Sequence, residues 1–164
     1  MKKIKLTQKE RTLLEDQKSH EAICIQKYNN YAQQAHDMEL AELFTGYAAQ
    51  EQNHLDTINQ MLSGNIPNIQ QQSTDEQSPQ SRHSYQNQQQ QAGQTTGMQN
   101  EADAGLCIDM LMTEKYVSDT YDTAIFEFTD SNARQVLNHI QKEEQQHGEG
   151  IFNYMQSKGM YNPQ

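Results

Sequence analysis

One pattern occurs twice in this chain and limits what it can become. Glu51-Gln-Asn-His54 returns 93 positions later as Glu144-Gln-Gln-His147, and a lone Glu21 returns at the same offset as Glu114. Each copy is a glutamate followed 30 residues on by Glu-x-x-His, in register and without a gap. Residues three apart share one face of a helix, so each Glu-x-x-His projects a carboxylate and an imidazole to the same side. A single such pair is more often surface than site. The duplicated set brings four carboxylates and two imidazoles that must be accommodated together.

Four helical stripes carry these residues, each in alternating steps of three and four. The first is Leu14, Gln17, Glu21, Cys24, Tyr28, Tyr31, Ala35. The second is Leu40, Phe44, Tyr47, Glu51, His54, Ile58, Met61. The third is Cys107, Met110, Glu114, Val117, Tyr121, Ala124, Phe128. The fourth is Ala133, Leu137, Ile140, Glu144, His147, Ile151, Tyr154. Thr7-Gln-Lys-Glu10 has the form of a capping box before the first helix. Asp37 and Asp130 suit the N-caps of the second and fourth. Ser63-Gly64 and Pro67 end the second helix, and Lys158-Gly159-Met160 is a C-terminal cap for the fourth. Asp103 is the expected N-cap of the third. Leu13/Leu106, Asp16/Asp109, Tyr28/Tyr121 and Ile58/Ile151 add further identities at the same offset.

Between the halves the composition changes. From 63 to 102 Gln, Ser, Asn and Gly dominate, as in Tyr85-Gln-Asn-Gln-Gln-Gln-Gln-Ala-Gly, without periodicity. Apolar content there is too thin to offset chain entropy, so a disordered linker is expected. It is long enough to cross the length of a bundle. The expected organisation is a single all-α domain. Residues 1–62 form one helical hairpin and 103–164 a second, joined by the long crossover.

Helical rise then sets the heights. At ~1.5 Å per residue, Glu21 lies ~24 Å before the bend at Asp37, and Glu51 and His54 lie ~21 and ~26 Å after it. Glu114, Glu144 and His147 repeat this about Asp130. A pseudo-two-fold pairing of antiparallel hairpins gathers all six at mid-bundle. Glutamate is rarely buried unless paired, and four carboxylates together repel. Two divalent cations with four carboxylates and two neutral imidazoles sum to zero. Protonated carboxyls sharing hydrogen bonds with the histidines would also be neutral, without metal. A Glu from each of two helices plus Glu-x-x-His from each of two others is the ligand set of ferritin-like dinuclear carboxylate bundles. The expected metal ligands are therefore Glu21, Glu51, His54, Glu114, Glu144 and His147. Glu51 and Glu144 would be shared between the ions. Carboxylate-rich sites favour two iron or manganese ions.

Other residues carry less. Tyr28, Tyr47 and Tyr121 lie within two turns of the ligands and read first as core aromatics, with hydrogen bonding to the site as the alternative. Asp16 and Asp109 read as solvated helix face, with imidazole orientation as the alternative. Cys24 and Cys107 form no disulfide framework and read as small core residues. His20, His36, His83 and His139 have no repeated partner. A formal charge of −10 opposes binding to nucleic acid or an anionic membrane. No apolar run is long enough to span a bilayer, and the first residues lack the apolar core of a signal peptide, so a cytoplasmic origin is expected.

Three stretches of the second half carry a family resemblance: Asp109-Met-Leu-Met-Thr-Glu-Lys-Tyr, Glu143-Glu-Gln-Gln-His147, and Ile151-Phe-Asn-Tyr-Met-Gln-Ser-Lys-Gly-Met-Tyr161. They resemble the coat protein F family of endospore-forming bacteria, whose members are similar to ferritin-like helical bundles. The closing Lys158-Gly-Met-Tyr departs from that family's more usual Gly-Trp-Tyr. The resemblance implies a ferritin-like antiparallel four-helix bundle, made in the mother-cell cytoplasm and then part of the spore coat. It would act there as a structural or protective component. Other coat proteins are the implied partners, with self-association left open. A second reading, carried by the ligand pattern alone, is a di-iron or di-manganese oxidoreductase that consumes peroxide or oxidises Fe(II). A third is a metal-free interaction module.

Overall fold

A computed structural model describes residues 2–68 and 97–161. Its elements are β1 (Lys2–Lys3), α1 (Gln8–Gln34), α2 (Met38–Leu62), β2 (Asn65–Ile66), α3 (Gly97–Glu127) and α4 (Ser131–Ser157). The helices form an antiparallel four-helix bundle. The 63–102 linker expectation falls mostly on residues outside those described, and its two edges are ordered.

The caps follow local chemistry. Thr7 accepts from Glu10 N while the Glu10 carboxylate accepts from Thr7 N, closing the capping box. Asp37 and Asp130 cap α2 and α4 through their side chains. At the end of α4, Gly159 turns with φ +69° and Met160 N bonds to Met155 O at 2.8 Å. That 6→1 closure satisfies a carbonyl the helix leaves orphaned, and Met160 packs back on the core. Gly64, with φ +77°, turns the chain out of α2 so that Asn65–Ile66 pair antiparallel with Lys2–Lys3.

The stripes define the buried face. Of the four, only Tyr31, Ala35 and Tyr47 are incompletely buried. Two apolar clusters result. One holds Leu14, Ile58, Met61, Val117, Phe128, Leu137 and Ile140 at the end nearest the α3–α4 turn. The other holds Tyr28, Leu40, Phe44, Cys107, Met110, Ile151 and Tyr154 near the α1–α2 turn. A fully buried side chain of this size contributes roughly 1.5–3 kcal/mol. The acidic and histidine residues form the layer between the clusters.

Each hairpin holds the bend of the other. The Glu10 carboxylate, at the start of α1, accepts from Thr129 N at 2.9 Å and Thr129 Oγ1 at 3.0 Å. The Asp103 carboxylate, near the start of α3, accepts from His36 N and Asp37 N, each at 2.9 Å. Positions 10 and 103 are equivalent under the 93-residue offset. The start of α1 thus meets the end of α3, and the reverse, so α1 and α3 run antiparallel. Tyr154 donating to Asp37 at 2.8 Å sets α4 against α2 in the same sense. Leu62 and Gly97 consequently stand at opposite ends of the bundle.

Two expectations need correction. Asp103 is not the N-cap of its own helix: α3 begins at Gly97, and the Asp103 carboxylate is engaged across the bundle instead. The edges of the 63–102 segment are also structured, since Ile66 is buried beside Ile4 and Leu6. A two-residue strand carries no periodicity by which to recognise it. No helix among the described residues is long and apolar enough to cross a membrane.

Candidate metal centre

Each helix contributes to the layer: Glu21 from α1, Glu51 and His54 from α2, Glu114 from α3, Glu144 and His147 from α4. All six are at most 3% exposed, so water cannot offset their charges. They form two overlapping groups. Glu21, Glu51, His54 and Glu144 make one; Glu51, Glu114, Glu144 and His147 make the other. Within each group one potential ligand atom per residue lies within 4.8 Å of all the others. That is close to the span of two opposed bonds of ~2.1 Å to a common ion. Glu51 and Glu144 belong to both groups.

The imidazoles point the same way. His54 Nδ1 faces inward, 3.1 Å from Glu51, 3.2 Å from Glu144 and 3.7 Å from Glu21. His147 Nδ1 faces Glu51 at 3.2 Å, Glu144 at 3.4 Å and Glu114 at 3.5 Å. The two rings stack with centroids 5.7 Å apart. Each Nε2 faces outward: His54 to the Glu143 carboxylate at 2.9 Å, His147 to the Gln50 side-chain oxygen. An outer partner of this kind fixes ring orientation and leaves Nδ1 directed at the site.

Tyrosines complete the layer by crossing between halves. Tyr28 donates to Glu114 Oε1, and Tyr121 donates to Glu21 Oε1. Both are core aromatics and site hydrogen-bond donors at once. Tyr47 makes no such bond to the carboxylates; its ring lies 4.4 Å from that of His147. Asp109 pairs with Lys27 at 2.7 Å and accepts from Tyr31 at 2.6 Å, and so orients no imidazole. Cys24 and Cys107 are free and buried, and burial pushes both thiols up, so they pack as neutral groups. His36 lies near Asp103, His139 lies 3.5 Å from Glu143, His20 packs on Tyr116, and His83 is outside the described residues.

Burial and facing charges shift the titration of all six groups. Burial holds the Glu21 and Glu114 carboxyls well above the ordinary range. Burial acts the same way on Glu51 and Glu144, but the facing imidazoles outweigh it and keep both ionised. Burial alone would lower the histidines. The surrounding carboxylates instead raise His54 well above its usual value and His147 to about 11.

The layer leaves atoms without partners. Glu21 Oε2, Glu114 Oε2 and both oxygens of Glu144 are buried with no hydrogen bond. The imidazole nitrogens near Glu144 are at ion-pair range but not in hydrogen-bond geometry. Orphaned buried acceptors cost roughly 1–3 kcal/mol each, more when charged. Four such oxygens converging on two inward imidazoles fit a pair of divalent cations. Two such ions would balance four carboxylates facing two neutral imidazoles.

Fold and site together define an antiparallel four-helix bundle closed around a buried carboxylate–imidazole centre able to hold metal ions. Residues 102–164 match the family model described as the Coat F domain. The match falls on the second hairpin, to which the first is related by the internal repeat. No curated protein and no solved structure matches the chain.

Sequence reasoning missed Gln50 and Glu143. The available signal was their position, each one residue before a Glu-x-x-His glutamate and 93 apart.

Proposed function

We propose that the chain is a spore-coat-associated, ferritin-like bundle that holds two divalent ions, iron or manganese, and acts mainly as a structural and protective coat component. The observation that supports the metal is the set of four unpartnered carboxylate oxygens within two overlapping groups of potential ligands. Glu51 and Glu144 would be shared, with Glu21 and His54 on one ion and Glu114 and His147 on the other. The Coat F match supports the coat association. Other coat proteins are the proposed partners.

The direct test is metal analysis of full-length protein reconstituted anaerobically with Fe(II) or Mn(II). About two ions per chain are expected. Glu51→Ala and Glu144→Ala should each lose both ions, because each removes a shared oxygen ligand. Absence of bound metal in the intact protein would reject the reading.

One further observation favours an oxidoreductase. A groove of about 1060 Å³ between α3 and α4 is lined in part by Glu114 and Glu144, whose unpartnered carboxylate oxygens lie buried beneath its surface, so a small molecule seated there would be close to the centre. Iron or manganese held there would supply electron exchange with peroxide or dioxygen. The chain itself contributes carboxylates whose charge offsets that of the ions and tyrosine hydroxyls that hold Glu21 and Glu114 in place. Peroxide consumption by loaded protein, lost in Glu144→Ala, would establish this reading. Metal binding without turnover would leave the structural role.

A further inference from the structure

The two halves of the centre are related by the repeat, yet their outer partners differ in charge. His54 Nε2 meets the Glu143 carboxylate, whereas His147 Nε2 meets the neutral amide oxygen of Gln50. These partners occupy equivalent positions, so the difference is one of chemistry rather than placement. A carboxylate behind an imidazole makes the opposite nitrogen a stronger donor; an amide does so far less.

A second, independent difference lies on the solvent side. The groove between α3 and α4 is lined in part by Glu114 and the shared Glu144, while Glu21 does not line it and neither histidine does. Gly148 stands at its edge, with only the end of the Leu111 side chain, at 4.0 Å, near where a Cβ would sit. The equivalent position in the first hairpin is Leu55.

We propose that the centre is functionally unequal: the Glu21–His54 subsite binds its divalent cation tightly and fills first, and the Glu114–His147 subsite, beneath the groove that Gly148 lines, is the weaker, exchangeable position. The inference rests on the dinuclear reading above. It identifies Glu143 and Gln50 as positioning residues that set the order of loading, and the α3–α4 groove as the path by which ions or small oxidants arrive.

The experiment is a titration of metal-free, full-length protein with Mn(II), following free Mn(II) by electron paramagnetic resonance. Two resolved steps are expected. Glu143→Gln should weaken the tight step by roughly 10–100-fold, with the weak step little changed. Gln50→Glu should tighten the weak step. In the double exchange Q50E/E143Q the two steps should separate again with their order inverted, so that Glu21→Gln then removes the weak step rather than the tight one. Gly148→Leu should slow loss of the weaker ion to a chelator without moving the tight step. A single step of two equal ions, or an E143Q effect spread equally over both, would overturn the inequality while leaving a dinuclear centre intact. No Mn(II) binding by the unaltered protein would instead reject the dinuclear reading on which the inequality depends.

Discussion

Tyr121, on the second hairpin, donates its hydroxyl hydrogen bond to Glu21 on the first. The repeat supplies the reciprocal bond from Tyr28 to Glu114. The acidic layer is therefore tied across the halves, and neither hairpin satisfies its own lone glutamate.

Removing that hydroxyl leaves Glu21 Oε1 buried without a donor. Tyr121→Phe is expected to destabilise the metal-free protein by about 1–3 kcal/mol, the cost of an orphaned buried acceptor. Urea unfolding measures it. A loss within experimental error would mean that the hydroxyl does nothing for the carboxyl. Tyr28→Phe should behave alike through Glu114.

Asp103 caps a bend it does not belong to, through His36 N and Asp37 N. Asp103→Ala should cost about 1–2 kcal/mol, as the loss of a helix cap does. Amide hydrogen exchange locates the effect. Faster exchange is expected at His36 and Asp37, and protection there equal to the unaltered protein would dismiss the clamp.

Gly150 is needed for space. A Cβ there would sit 1.7 Å from the Tyr47 hydroxyl and 3.1 Å from its Cζ. Gly150→Ala should displace Tyr47 from the His147 ring and destabilise by about 1–3 kcal/mol, as overpacking does. Tyr47→Phe removes the nearest atom, so the double variant should recover most of the loss. A thermodynamic cycle reads the coupling. Purely additive effects would show that the two residues do not collide.

The metal-free protein should lose stability in alkali. His147 has a usual value of 6.5 raised to about 11 in the fold. Its stabilising contribution is complete below ~6.5 and is lost as pH climbs toward 11. His54 is raised likewise, and Glu21 and Glu114, also raised, release stabilisation in the same direction as they ionise. Glu51 and Glu144 are lowered, so their contribution is present above 4.5 and is lost only on acidification. Calorimetry with a chelator should show Tm falling from about pH 4.5, where the unfolded Glu21 and Glu114 carboxyls ionise, and further above about pH 6.5, where the unfolded histidines lose their protons. With saturating Mn(II) the alkaline decline should flatten, because the ions replace the protons and bind more tightly as pH rises. Parallel curves with and without metal would contradict the exchange of protons for cations.

Much of this architecture follows from residue spacing. Apolar and site residues recur at steps of three and four from Leu14 to Ala35 and on through Tyr154, which fixes four amphipathic helices. The caps at Thr7, Asp37 and Asp130 are local hydrogen-bond chemistry and are readable where they stand. Constant helical rise places Glu21, Glu51 and His54 at one height, and the repeat does the same for Glu114, Glu144 and His147. Tertiary structure decided what lies between helices. It determined which glutamates each histidine faces and that Tyr121 reaches Glu21. It set Glu143 and Gln50 behind the two imidazoles, and turned Asp103 away from its own helix toward the bend at Asp37. Spacing along one helix specifies a face and a height. Contact with a neighbour also depends on the rotation and separation of the two axes, which arise only when the whole core packs.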